Sequence, residues 1–247
     1  MKNLRPLGAS RSVVLLAFCC MIPFGATLQA ALINPKGDIT SKQYDLKPYT
    51  KLTVEGDMDI YLIPGDGTSA EIKTYENIHE LIEINQLTDE LIIGIKDNNT
   101  FVRSPKVVVT LPVKDMRWVA AAGFVELDAE DVFSKEQVTI VSEGACEVEV
   151  TVNATIVHSY ASDAANVELE GTADQFTLDH SGAVKSDCYD LKTRKIDAKV
   201  TGASLLKANV SDTIFAEVTG ASKMLYRGEA EVVKQSVLGA AALEKVD

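Results

Sequence analysis

The chain has 247 residues, with 24 basic and 36 acidic side chains and a formal net charge of −12. This length fits one large domain or two ordinary ones. So acidic a chain repels nucleic acid and anionic lipid headgroups, which excludes nucleic acid as a partner and leaves cations and neutral glycans as acceptable ones.

The first 30 residues have the three parts of a secretory signal peptide. Three basic residues and no acid precede a short apolar run, and small residues follow near Ala30. We predict cleavage between Ala30 and Ala31 and export to the periplasm, the outer-membrane surface or the extracellular space. An uncleaved anchor helix, or lipidation at Cys19 or Cys20, is the alternative. Without its leader the chain has a net charge of −15.

The next part of the chain, residues 31–119, contains alternating apolar and polar residues but no clear repeat. The segment KLTVEGDMDIYLIPGDGTSAEIKTY alternates, with a strong turn at GDG, and ELIIGIKD and PKVVVTLPV read as further strands. The segment ENIHELIEINQ fits a short helix or a strand edge. No Pro/Gly/Ser-rich linker follows, so we expect a single domain over residues 31–247, with regular coils only over residues 120–247.

A small motif recurs through residues 120–247. VTGAS occurs twice, 18 residues apart, and similar corners recur at steps of 18 to 21 residues. The small residues that mark these corners are Gly123, Gly144, Ala164, Gly182, Gly202, Gly220 and Gly239. A fixed period of this length indicates a solenoid.

Within each period the residues alternate, as in CEVEV and NVELE. This alternation is typical of strands with one face in water, and short turn-like segments separate them. The sequence therefore predicts an all-β fold, a right-handed β-helix with coils of 18–21 residues. Glycine in the recurring corner would supply backbone angles that other residues avoid.

The repeated corners, together with YTKLTVEGDMDIYLIPGD and VVVTLPVKDMRWVAAAG, resemble the DUF2807 family of bacterial proteins, described as auto-transporter adhesin head GIN domains. The resemblance extends from about Tyr44 onward. The sequence departs from the family pattern at AAAGF and SDAA. The resemblance implies a secreted β-solenoid and no established reaction.

Asp57 and Asp59 are the strongest catalytic candidates, because residues two apart on a strand face the same side. Such a pair suits a carbohydrate-active β-helix enzyme, which is the alternative function. No basic side chain accompanies them in the sequence, so we interpret them as part of a solvated face. We predict a protein that is not an enzyme and needs no metal or cofactor.

The histidines and cysteines match no metal or catalytic motif. The histidines are too dispersed for a metal triad, and we expect surface or coil-ladder positions for His79, His158 and His180. Cys146 and Cys188 are expected to be small buried residues, and whether they pair stays open.

The leading hypothesis is an exported, non-enzymatic envelope or surface protein that binds a glycan or protein through its long solenoid face. Trp118 follows the Leu-Pro strand and is expected to pack in the core or at an edge, with sugar stacking as the alternative. Self-association through coil edges is a further alternative.

Acidic residues are expected to stack between coils. If the coils align, the acids of CEVEV and NVELE project outward as an acidic ladder, formed by Glu147, Glu149, Glu168 and Glu170.

Overall fold

A computed structural model describes residues 31–96, 99–129, 133–134 and 136–246. The signal peptide lies outside these residues, and its cleavage before Ala31 stays a prediction. The described elements are β1 (Ala31–Ile33), β2 (Ile39–Asp45), β3 (Lys51–Pro64), β4 (Ser69–Tyr75), a 3-10 helix (His79–Leu81), β5 (Ile82–Leu87), β6 (Glu90–Ile95), β7 (Asn99–Phe101), β8 (Val107–Val113), β9 (Trp118–Ala129), β10 (Gln137–Gly144), β11 (Glu147–Ala161), β12 (Asn166–His180), β13 (Lys185–Val200), β14 (Leu205–Gly220), β15 (Lys223–Arg227), β16 (Glu231–Gly239) and β17 (Ala242–Lys245).

The strands wind into a β-solenoid of about six turns, as the repeat predicted. Strands from β8 and β3 through β9 to β14 pair parallel with their neighbours, and β15, β16 and β17 continue the stack. Antiparallel pairs join β2 to β4, β4 to β8 and β5 to β6. The ambiguous ENIHELIEINQ segment forms both a 3-10 turn and strand β5.

Alternation along the strands builds the core. In β12 the side chains of Val167 and Leu169 are buried, while those of Glu168 and Glu170 are exposed. Each strand contributes its apolar positions to one hydrophobic core enclosed by the coils. Parallel neighbours lie about 4.8 Å apart, so equivalent residues stack directly above one another.

The repeated VTGAS motif forms the same corner in neighbouring coils. Gly202 and Gly220 have φ angles of +85° and +80°, which L side chains rarely adopt. A Cβ atom added to Gly220 would also lie only 2.5 Å from the carbonyl oxygen of Gly202. Both the backbone angle and the close approach of the next coil therefore require glycine.

The serine of the motif lies inside the corner. Ser204 Oγ donates a hydrogen bond to the carbonyl oxygen of Thr201 at 3.0 Å and accepts one from the N–H of Val184 at 3.2 Å. Ser222 Oγ accepts the N–H of Ser204 at the same distance of 3.2 Å. The same letters recur because each serine satisfies backbone groups in its own corner or the adjoining coil.

One corner differs from the prediction. The sequence predicts Ala164 at the glycine position, but Asp163 occupies it with a φ angle of +64°. The N–H of Ala183 donates a hydrogen bond to the carbonyl oxygen of Asp163 at 2.6 Å. The N–H of Ala164 donates one to the carbonyl oxygen of Gly144 at 3.0 Å. Aspartate takes this place because its short polar side chain tolerates the left-handed conformation better than most residues.

Candidate functional site

One outer face of the solenoid, formed by the strand segments after the glycine corners, carries a column of carboxylates. The register sets Asp128 opposite Glu149, Glu149 opposite Glu168 and Glu168 opposite Asp187. Loss of solvation, and then the charges of Glu149 and Asp187, raise the pKa of Glu168. The column ends at Lys207, whose Nζ lies 2.5 Å from a carboxylate oxygen of Asp187.

This acidic face agrees only in part with the predicted ladder. Glu147, Glu149, Glu168 and Glu170 are all exposed, but only Glu149 and Glu168 stand directly opposite each other. On β12 and β11 respectively, Glu147 and Glu170 face the uncharged Asn166 and Thr151, but on its other side Glu147 stands opposite Glu126 of β9. In the described ranges, no three His, Cys, Asp or Glu side chains converge in a way that would hold a metal ion.

Asp57 and Asp59 lie on β3, next to β9, at the N-terminal end of the acidic face. Asp57 accepts a hydrogen bond from Ser104 Oγ at 3.3 Å, and Asp59 stands opposite Glu126. Burial, and then the charge of Asp57, raise the pKa of Asp59. Neither carboxylate forms an ion pair with any residue that the structure describes. The two acids are therefore half-buried neighbours without a basic partner among the described residues.

The strand segments that precede the glycine corners form a second outer face, which contains an open groove of about 460 Å³. Its floor consists of Ala120, Ala122 and Val141, and the indole of Trp118 lies beside it. Trp118 is 37% exposed, so it does not belong to the core. The expectation of core packing is therefore wrong, and the exposed position fits both edge packing and sugar stacking.

The sequence WVAAAG explains how the groove forms. Along β9 the side chains of Val119 and Ala121 are buried, so those of Trp118, Ala120 and Ala122 face outward. Alanine side chains are short, and two of them in line leave a depression next to the indole. Below them, Val141 of β10 stands opposite Ala120 and continues the apolar floor.

Charged residues border the groove. Glu55 and Glu143 stand on either side of Ala122 in the register of the three strands, and both are exposed. Lys51 and Glu90 lie at the other end, where Lys51 pairs with Asp89 and Glu90 accepts a hydrogen bond from the hydroxyl of Thr53. Three carboxylates and one ammonium give this border a negative net charge.

An aromatic pair extends the second face two coils beyond Trp118. Thr139 stands opposite both Trp118 and His158, so these two residues lie about 10 Å apart along the stack. The ring of His158 stacks with that of Tyr160, with centroids 6.4 Å apart and 13° between the planes. Tyr160 is 43% exposed, and burial lowers the pKa of His158. Within the described part of the chain, His158 Nδ1 is buried without a hydrogen-bond partner.

The other two histidines are buried rather than at the surface. His79 bonds to Thr40, and His180 lies in the core with only 1% of its surface exposed. Ser159 Oγ lies 2.9 Å from Nε2 of His180, and Ser186 Oγ lies 2.9 Å from Nδ1. Burial lowers the pKa of His180 to about 4, so the ring is neutral near pH 7.

The cysteines are buried and free, as small apolar residues of the core. Cys146 and Cys188 form no disulfide bond with each other. Burial raises the pKa of both thiols, so neither is a thiolate at neutral pH. The sequence left their pairing open, and the structure excludes both pairing and an activated nucleophile.

Residues 48–230 match the family model of DUF2807, "Putative auto-transporter adhesin, head GIN domain". The chain belongs to the DUF2807 family. A comparison with curated proteins gives no significant match. Among the described residues, no helix has the length and apolar character needed to span a membrane.

Three solved bacterial structures share this fold. A "putative adhesin" from Bacteroides fragilis superimposes with a TM-score of 0.73 at 18% identity, covering 87% of this chain and 100% of that one. A "putative adhesin" from Parabacteroides merdae gives a TM-score of 0.64 at 17% identity, covering 87% and 99%. A "Putative lipid binding protein" from Parabacteroides distasonis gives 0.66 at 14% identity, covering 88% and 100%. At these identities the likeness shows a shared fold.

Proposed function

We propose that this protein is an exported, non-enzymatic envelope or surface protein that binds its partner, in an adhesion-like role, through the groove face. We define the groove face by Trp118, Ala120, Ala122, Val141 and Tyr160. The observation that carries the proposal is the exposed indole beside an apolar floor. The adhesin names of the family and its structural neighbours support the same role.

The groove face is a better binding surface than the acidic face. Exposed aromatic side chains have large contact areas and few rotamers, so they are enriched where proteins bind partners. On the acidic face the like charges repel one another and need solvent or cations for screening. Desolvating that face against a neutral partner would be costly, whereas the alanine floor loses little solvation.

Adhesion assays with Trp118→Ala test this proposal. The mature protein, coupled to beads, is incubated with bacterial cells and envelope extracts, and the retained material is quantified. We expect the parent to retain material and Trp118→Ala to lose most of it without a change in melting temperature. Phe124→Ala is the control, because Phe124 is an exposed aromatic residue that follows the glycine corner and stands opposite Asp57, on the other outer face.

Two results would contradict the proposal. The first is equal retention by the parent and Trp118→Ala. The second is turnover of a polysaccharide that Asp57→Asn abolishes, which would establish the enzyme alternative instead.

A further inference from the structure

We infer that the groove face binds an uncharged polysaccharide whose chain runs along the stacking direction of the coils. This inference rests on the proposed function and names the chemical class of the partner. Sugar rings would lie against Trp118 at one end and against the His158–Tyr160 pair at the other. Glu55 and Glu143 would accept hydrogen bonds from the sugar hydroxyls.

The aromatic residues supply the first argument. One face of a pyranose ring presents C–H groups, which pack against an aromatic ring and leave the hydroxyls directed sideways. Trp118 and Tyr160 are both partly exposed, so each offers ring surface to such a partner. About 10 Å separates Trp118 from His158 along the stack, and that interval suits sugar units spaced along one chain.

The volume of the groove supplies the second argument. Binding sites for small ligands occupy roughly 300–1,000 Å³, and the groove of about 460 Å³ lies within this range. Stable protein–protein interfaces instead bury about 800 Å² on each partner over a broad surface. An open groove of this volume with an alanine floor therefore suits a thin chain of sugar rings better than a folded protein.

The hydrogen-bonding groups of the border supply the third argument. Within the described part of the chain, the carboxylates of Glu55 and Glu143 make no hydrogen bond or ion pair, while Lys51 is paired with Asp89 at 3.4 Å. The unused groups are therefore acceptors, and hydroxyl groups are the donors that match them. His158 Nδ1 is a further ring nitrogen without a partner in the described residues.

Charge decides the class of polysaccharide. The border carries Glu55, Glu90 and Glu143 against the single ammonium of Lys51. Carboxylate, sulfate or phosphate groups on a glycan would be repelled by this border and by the net charge of the whole chain. An uncharged glucan, mannan or chitin-type chain meets no such repulsion.

The chain contains one tryptophan, so fluorescence reports on the groove directly. Titrations use cellohexaose, mannohexaose and chitohexaose as neutral probes and hexagalacturonate as the anionic probe. We expect at least one neutral probe to change Trp118 emission saturably and to bind at least about tenfold more tightly than hexagalacturonate. Calorimetry should show about tenfold weaker binding for Trp118→Ala and for Tyr160→Ala, and parent-like binding for Phe124→Ala.

Several results would overturn the inference. These are the absence of binding by all neutral probes, tighter binding of hexagalacturonate, or equal affinity in Tyr160→Ala that melts like the parent. Tyr160→Ala keeps the test valid if Trp118→Ala folds poorly.

Periodate treatment separates this inference from the proposed function. If Trp118-dependent retention of envelope material survives periodate oxidation of its glycans, the partner is a protein and only the glycan inference fails. If the parent retains nothing before oxidation, the proposed function fails as well. Loss of retention after oxidation supports both.

Discussion

The buried histidine in the core makes stability depend on pH in a defined direction. A neutral imidazole has one donor and one acceptor nitrogen, and the hydroxyls of Ser159 and Ser186 match both at 2.9 Å. Protonating His180 would place a charge in the core, where solvation is lost, and the nearby carboxylate of Asp179 offsets only part of that loss. The folded state therefore resists protonation of His180.

The magnitude follows from the two pKa values. The imidazole has a pKa of 6.5 in an unfolded chain and about 4 in the folded protein. Because the folded pKa is lower, protons bind the unfolded state more tightly. The contribution of neutral His180 to the free energy of unfolding is therefore complete above pH 6.5 and is lost as the pH falls toward 4. Full protonation corresponds to about 3 kcal/mol, of which about 2 kcal/mol is lost by pH 5. A loss of about 2 kcal/mol lowers the melting temperature of a domain this size by roughly 4–8 °C.

His180→Gln isolates this effect from the other titrating groups. Glutamine keeps a donor and an acceptor for the two serines but does not titrate. Urea unfolding of parent and variant at pH 7.5 and pH 5 should show the parent losing about 2 kcal/mol more than the variant. NMR should place the titration of the His180 imidazole below pH 5. Equal losses in both proteins, or a midpoint above pH 6, would refute the reasoning.

Three further predictions concern the corner, the acidic face and the leader. Gly220→Val should cost about 1–3 kcal/mol in urea unfolding, while Val at the exposed Ala203 should cost little; equal stabilities would remove the steric argument. Glu168→Gln should raise the melting temperature modestly in low salt and reduce its dependence on sodium chloride, because the folded state raises the pKa of Glu168. A calcium effect larger than that of sodium at matched ionic strength would instead reveal a metal site. N-terminal sequencing of the exported protein should begin at Ala31, and an acylated start at Cys19 or Cys20 would contradict cleavage there.

The coiled part of the fold was predictable because coils stacked in register need the same residue types at equivalent positions, so the sequence repeats. Each coil uses the same corner, so the surroundings of Ser204 and Ser222 are alike and the same residues recur. Alternation then assigned Val167 and Leu169 to the core without any knowledge of the neighbouring strands. Both signals are local, which is why one sequence sufficed.

Structural features that depend on the register between strands could not be predicted from the sequence in this way. Asp163 replaces glycine because its short polar side chain tolerates a positive φ angle, and the SDAA pattern does not distinguish it from Ala164. The groove face combines Trp118, Val141 and Tyr160, which lie on three strands about one coil apart in sequence. Shifting any one strand by a single residue would turn its outward side chain into the core, so the groove exists only once the register is known.

The corner hydrogen bonds have a consequence for how such proteins vary in length. Each corner links its coil only to adjacent coils, as when Ala203 donates to Gly182 and Ala221 donates to Gly202. Duplicating one coil, such as residues 202–219, would therefore leave every existing corner with an equivalent partner. Each duplication would lengthen the molecule by about 4.8 Å and add one rung of outward side chains. The length of the solenoid can therefore change in steps of one coil while its two ends stay unchanged.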